Sequence, residues 1–185
     1  MTNVKPHTVL IAVASRHGST AEIAGRIGRR LREELPAPTW HVQVEDADAI
    51  DTIEGYDAVV LGSAVYVGRW LKSARTLLRN AEVAPPAGLW LFSSGPTSDD
   101  PPKDVPAAAS VRAAERLGAR DLVSFSGRIE VGSLGPAERL LTNAMRVAGG
   151  DFRDWDAVDA WARGIARVLS NTALEDRPSG AAQQS

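Results

Sequence analysis

Residues Thr8–Ala14 (TVLIAVA) form an unbroken apolar run rich in β-branched side chains, as expected of a strand covered on both faces. From Ser19 to Leu35 the period changes. Ile23, Ile27, Leu31 and Leu35 recur every four residues with Ala24 and Gly28 beside them, and Glu22, Arg26, Arg29, Arg30, Arg32 and Glu33 fill the opposite side. That spacing predicts an amphipathic helix, which Pro36 and Pro38 end. Thr39–Glu45 alternates, with Trp40, Val42 and Val44 on one side, and reads as a second strand. Asp57–Gly62 and Gly88–Ser93 are further buried strands, with a helix over Leu71–Ala81 between them. A loop carrying Pro96, Pro101, Pro102 and Pro106 leads to a helix over Ala107–Leu117 and a fifth strand over Asp121–Val131. Helices over Pro136–Ala148 and Trp155–Leu169 complete the pattern, the last with a stripe of Trp155, Val158, Ala162, Ile165 and Leu169.

Strands alternating with helices at this spacing imply βαβ units, and so an α/β fold with a doubly wound, five-stranded parallel sheet and helices on both faces. No repeat and no separating linker divides it. Residues 1–170 are expected to form one domain, and the small, polar stretch Asn171–Ser185 a disordered tail.

Composition narrows the chemistry. With 44% hydrophobic and 24% charged residues the chain has enough apolar content for a packed core. Lys+Arg number 21 against 23 Asp+Glu, and this balance argues against a nucleic-acid binder, which needs a concentrated basic face. There is no cysteine, so disulfides, thiolate-ligated iron–sulfur clusters and thiolate zinc sites are excluded, and three scattered histidines (7, 17 and 41) make a poor metal cage. Redox chemistry here would have to come from a bound cofactor. The longest mainly apolar stretch, Ala58–Gly68, is interrupted by Ser63 and falls far short of the roughly 20 residues that span a bilayer. Lys5 followed by Thr8–Ala14 faintly resembles a leader peptide, but the run sits at the lower length limit and is the best strand in the chain. A cytoplasmic location is the expectation.

In an open parallel sheet, ligands bind beyond the carboxyl ends of the strands where the strand order reverses. Three strand ends carry unusual turns. The first, Ser15-Arg16-His17-Gly18-Ser19-Thr20, puts hydroxyls, a glycine and a helix start together, a combination suited to a phosphate monoester. Ser19 with Glu22 three residues later also reads as a capping box. The segment lacks the glycine patterns of dinucleotide and P-loop triphosphate sites. The second, Ser63-Ala64-Val65-Tyr66-Val67-Gly68, followed by Arg69 and Trp70, places apolar and aromatic groups where a flat ring could lie against them. Taken alone, Tyr66 and Trp70 read as core or rim aromatics. The third, Ser93-Ser94-Gly95-Pro96, offers serines and backbone amides to the polar edge of a ring.

Together the three turns resemble the flavodoxin-like family, and most nearly its menaquinone-dependent protoporphyrinogen IX dehydrogenase branch. The resemblance runs over residues 8–169 and includes Gly149-Gly150-Asp151 followed by Asp154-Trp155. It implies FMN as cofactor and a strand order of 2-1-3-4-5. Ser15, Arg16, His17, Gly18, Ser19 and Thr20 would hold the phosphate. Ser63, Ala64, Val65, Tyr66, Val67 and Gly68 would flank the isoalloxazine, and Ser93, Ser94, Gly95 and Pro96 would border its pyrimidine side. It also implies a redox partner, or a quinone or porphyrin. The dehydrogenase branch has a basic, tyrosine-rich segment after the fifth strand; this chain has Gly127–Pro136 there, without tyrosine. Two alternatives stay open: a non-enzymatic electron-transfer flavodoxin, and a domain of this fold that has lost its cofactor and serves as an interaction module. The helix over Pro136–Ala148 reads as covering its own sheet or a twin subunit, with peripheral membrane contact as the other reading.

Overall fold

The apolar run near the amino end becomes β1 (His7–Ala14). Val9, Ile11 and Val13 join the core on one side of the sheet, Leu10, Ala12 and Ala14 the core on the other, and none of the six is more than 4% exposed. A strand buried on both sides belongs in the middle of a parallel sheet. The computed structural model describes residues 6–66, 68–95, 108–129 and 150–175. After α1 (Ser19–Glu34), β2 (Trp40–Asp46) pairs in parallel with one side of β1, and β3 (Ala58–Tyr66) pairs in parallel with the other. A short strand, β4 (Arg69–Trp70), folds back antiparallel on β3 before α2 (Lys72–Val83). Beyond β3 lie β5 (Gly88–Gly95) and, after α3 (Ala108–Leu117), β6 (Asp121–Ser126), so the order is β2-β1-β3-β5-β6. The two-stranded ladder β7 (Arg128–Ile129) and β8 (Gly150–Asp151) leads into α4 (Trp155–Glu175). With the β4 hairpin set aside, this is the expected five-stranded, doubly wound α/β sheet.

Helices α1 and α4 cover one face, where Ile23, Ile27, Leu31, Val158, Ala162 and Ile165 join Val9, Ile11, Val60 and Phe92 in one core. Helices α2 and α3 cover the other, where Ala74, Leu77, Leu78 and Ala113 join Leu10, Val59 and Leu61. A Cβ on Gly62 would fall 2.0 Å from Phe92 Cζ, so the ring lies directly on the β3 backbone and only glycine fits. One carboxylate ties the α1–α4 layer together. Asp159, 5% exposed, accepts from Arg26 Nε and Nη2 at 2.7 Å each and from Arg30 Nη2 at 2.6 Å. Hydrogen bonds from Arg26 and then Arg30 hold its carboxyl far below the usual range.

Four expectations change. The third strand runs through Tyr66 instead of ending at Gly62, because β4 returns against it: Val65 faces Trp70 and Tyr66 faces Arg69. The fourth runs past Ser93 to Gly95, absorbing Ser94 and Gly95 into the sheet, since β6 pairs with both. The fifth breaks at Gly127, whose N–H donates to Gly95 C=O at 3.0 Å, and the chain then leaves the main sheet to pair with Gly150 and Asp151. The last helix continues past Leu169 to Glu175. The predicted helix over Pro136–Ala148 lies outside the described residues, as do Val67, Pro96 and residues 176–185.

Candidate functional site

From β1 the chain crosses α1 to β2 on one side of the sheet, and β3 then pairs on the other side, so β1 and β3 flank the switch in strand order. Such a switch opens a crevice at the carboxyl ends of the two strands. The turn after β1 occupies it. Gly18 caps α1 with φ +82°, a left-handed conformation that glycine adopts without strain. The first backbone bond of the helix runs from Glu22 N–H to Gly18 C=O at 2.9 Å, so the amides of Ser19, Thr20 and Ala21 have no acceptor within the helix. They form the positive pole of a helix that starts at a buried corner: Ser19 is 9% exposed and Thr20 3%.

One side chain in this corner is anomalous. The Ser15 hydroxyl oxygen is buried and has no hydrogen-bond partner. A hidden, unsatisfied hydroxyl costs about 1–3 kcal/mol, and a fold keeps one where something else is meant to satisfy it. Amides without an acceptor in the helix, a helix pole and a hydroxyl with no partner among the described residues are, at one corner, the donor set a phosphate monoester takes up. The residues present therefore fit such a group. Arg16 and His17 lie across from Tyr66, the guanidinium 5.4 Å from its ring centre and the imidazole 6.3 Å, and so join this corner to the β3–β4 hairpin.

The expected capping box does not form. Gly18 takes the cap position, which moves Ser19 into the helix, where its Oγ accepts from Arg128 N–H at 2.9 Å. Glu22 is drawn aside by Arg153 Nη1 at 2.6 Å and Arg128 Nη2 at 3.1 Å. Arg153 is itself almost buried, 4.5 Å from the Trp155 ring centre, and its hydrogen bonds bring the Asp151 carboxyl down to about 2. The pairing of Arg128 and Arg153 with Glu22, and of Arg153 with Asp151, left no trace in the sequence pattern. The nearby signal was Gly127, a glycine interrupting an otherwise good strand.

In the hairpin, Ser63 is fully buried; its hydroxyl donates to Ala64 C=O at 2.8 Å and accepts from Leu71 N–H at 3.0 Å. Trp70 is 5% exposed and its indole Nε1–H donates to Ser93 Oγ at 3.0 Å, locking the hairpin to the end of β5. Trp70 thus belongs to the core. Both serine hydroxyls are engaged within the fold, and Ala64 is buried, which leaves half-buried Val65 and Tyr66 as the side chains that can border a ring. The Gly68 turn has φ +68°. At the third corner Ser94 is 4% exposed, and Gly95 lies with its α-carbon substituent position 3.8 Å from Val65 Cβ, so the β3 and β5 ends close on each other. A Cβ on Gly127 would come within 3.0 Å of Gly95 O and 3.2 Å of Ser94 Oγ, which explains the glycine where β6 leaves the sheet.

Contacts of Arg16 and His17 with Tyr66 bring the first corner to the hairpin, and the approach of Gly95 to Val65 brings the β5 end beside it. Among the described residues no group of His, Asp and Glu side chains could hold a metal ion, and no helix is long and apolar enough to cross a membrane.

A family model described as Flavodoxin domain matches residues 10–155. No curated protein matches the chain. Among solved structures, rubredoxin oxygen:oxidoreductase from the anaerobe Desulfovibrio gigas superposes with a TM-score of 0.59 at 17% identity, over 90% of this chain and 37% of that one. A flavodoxin from the domain Archaea gives 0.57 at 16% identity, over 88% of this chain and 99% of its own. Oxidised flavodoxin 2 from Bacillus cereus gives 0.56 at 21% identity, over 88% and 99%. At these identities the likeness is one of fold. The chain spans 37% of the Desulfovibrio protein and nearly all of the two flavodoxins.

Proposed function

This chain belongs to the flavodoxin domain family, whose cofactor is FMN, and we infer that it is an FMN-dependent oxidoreductase with the cofactor phosphate in the β1–α1 corner. The observation that carries the reading is the buried Ser15 hydroxyl, unpartnered among the described residues, beside the α1 amides that have no acceptor in the helix. Ser15 Oγ and the N–H groups of Gly18, Ser19 and Thr20 hold the phosphate, and the helix pole balances its charge without a buried cation. Val65 and Tyr66 flank the ring, and the Ser93–Gly95 backbone borders its polar edge. Trp70 and Ser63 keep the hairpin in place so that this wall excludes water. FMN, when bound, supplies hydride or single-electron transfer at its ring. The chain supplies no side chain as acid or base in this reading.

Within it, the most concrete reaction is oxidation of protoporphyrinogen IX with a quinone acceptor, supported by the sequence resemblance over residues 8–169. The electron-transfer alternative is favoured by a separate observation: two flavodoxins are matched over 99% of their length. The cofactor-less alternative is disfavoured by the orphaned hydroxyl, since a lost site has no reason to retain one. Denaturing the purified protein and identifying the released small molecule decides on the cofactor; FMN is expected, and its absence after reconstitution with excess FMN contradicts the reading. Anaerobic assay of the loaded protein with protoporphyrinogen IX and a menaquinone analogue then separates the two redox roles. Porphyrin formation is the outcome expected of the dehydrogenase. Electron transfer to a partner protein without porphyrin formation assigns the shuttle.

A further inference from the structure

Residues 58–81, which build the hairpin and most of α2, contain Arg69, Lys72, Arg75 and Arg79 and no Asp or Glu. All four are exposed. Lys72, Arg75 and Arg79 stand at i, i+3 and i+7, on one face of α2, and Arg69 stands next to Trp70 at the hairpin that borders the crevice. Arg79 donates to Thr76 Oγ1, while the side chains of Arg69, Lys72 and Arg75 make no ion pair or hydrogen bond among the described residues. The cations beside the phosphate corner differ: Arg26 and Arg30 face Asp159, and Arg128 and Arg153 face Glu22. Glu82 is taken by Arg116 from α3, and Asp51 lies where its carbonyl accepts from Asn80. A chain with a formal charge of −2 thus carries a cationic stripe, beginning at the hairpin, that no carboxylate among the described residues pairs.

We propose that this stripe docks an electron-carrier protein that presents carboxylates, orienting the partner's redox centre toward the flavin edge. The inference rests on the FMN reading above. Exposed, unpaired charges of one sign accelerate encounter with an oppositely charged partner by about 10–1,000-fold at low salt. The redox step is balanced simply: one electron leaves the partner's reduced centre and is taken up by bound FMN.

The test uses an acidic plant-type [2Fe–2S] ferredoxin as probe and the full-length, FMN-loaded protein. Calorimetric titration with oxidised ferredoxin reads docking, and stopped-flow absorbance reads electron arrival from reduced ferredoxin. Lys72→Glu/Arg75→Glu is compared with Arg163→Glu/Arg167→Glu, which changes the net charge equally on α4, across the sheet. Both pairs replace helix-compatible residues at solvent-facing or half-buried positions, and circular dichroism checks the fold. The expected result is tenfold or greater weakening of both readouts by the α2 pair at about 0.02 M salt, vanishing near 0.5 M, with less than threefold change from the α4 pair. Equal losses from the two pairs would reduce the effect to net charge and overturn the proposal. So would wild-type protein that ignores ferredoxin at low salt, including the case in which it instead binds phosphatidylglycerol vesicles through these cations. A chain that retains no FMN silences only the electron-transfer readout, so failure of the flavin reading and failure of docking are told apart.

Discussion

Gly18 offers a clean way to separate backbone shape from side-chain contact at the phosphate corner. Its φ of +82° lies where an L-residue is strained, yet a Cβ built there meets nothing within 4 Å. Gly18→Ala therefore carries the backbone term alone, about 1–2 kcal/mol. That strain appears in one of two places. If the empty corner keeps its shape, the thermal midpoint falls by about 2–8 °C, at roughly 2–4 °C per kcal/mol for a chain of this size. If the empty corner relaxes, phosphate binding has to restore the strained shape, and FMN affinity falls by about 5–30-fold. The two losses, converted to free energy, should together make up the same 1–2 kcal/mol. Differential scanning calorimetry of the apoprotein gives the first and quenching of flavin fluorescence the second. Riboflavin, which lacks the phosphate, serves as control: its affinity should change little. Gly18→Asn should cost less than Gly18→Ala, because asparagine tolerates this region better. An alanine variant matching wild type in both midpoint and FMN affinity would refute the reasoning, as would equal weakening of FMN and riboflavin.

Ser15→Ala removes a hydroxyl that has no partner in the apoprotein. Its apo midpoint should hold or rise slightly while FMN, but not riboflavin, weakens by about 3–10-fold. Trp70→Phe keeps the buried ring but loses the donor to Ser93, and is expected to lower the midpoint by about 2–4 °C and to weaken FMN and riboflavin alike, because the hairpin serves the ring rather than the phosphate. Asp159→Asn should lower the midpoint at pH 7 by about 3–8 °C. Because the Asp159 carboxyl sits far below its usual value, its stabilisation is present above pH ~4 and disappears as pH falls through the folded-state value. Thermal melts from pH 7 to 2 should accordingly show a constant gap between wild type and variant down to pH ~4 and a narrowing gap below it. An offset that stays constant over the whole range would assign the loss to packing instead of charge.

That β1, β3 and β5 lie inside a parallel sheet was legible because they are apolar on both faces and separated by helical periods; their order followed from the family resemblance. The hairpin was not legible. Tyr66 and Trp70 read as core or rim aromatics, which fits the buried Trp70, but only the tertiary pairing of Tyr66 with Arg69 and of Trp70 with Ser93 shows that they belong to a strand pair. Ser19 with Glu22 matched a local motif, but two arginines from beyond residue 127 outcompeted it, and contacts at separations of 106 and 131 residues leave no local trace. Gly127 and Gly62 show the same limit. Each is required by a neighbour far along the chain, Gly95 in one case and Phe92 in the other.

A crystal structure of the protein grown with FMN tests the central claim most directly. The account predicts the phosphate in the β1–α1 corner, within hydrogen-bonding distance of Ser15 Oγ and the amides of residues 18–20, with the ring between the hairpin and the β5 end. A flavin whose phosphate lies elsewhere, or a corner that remains empty at saturating FMN, would contradict it.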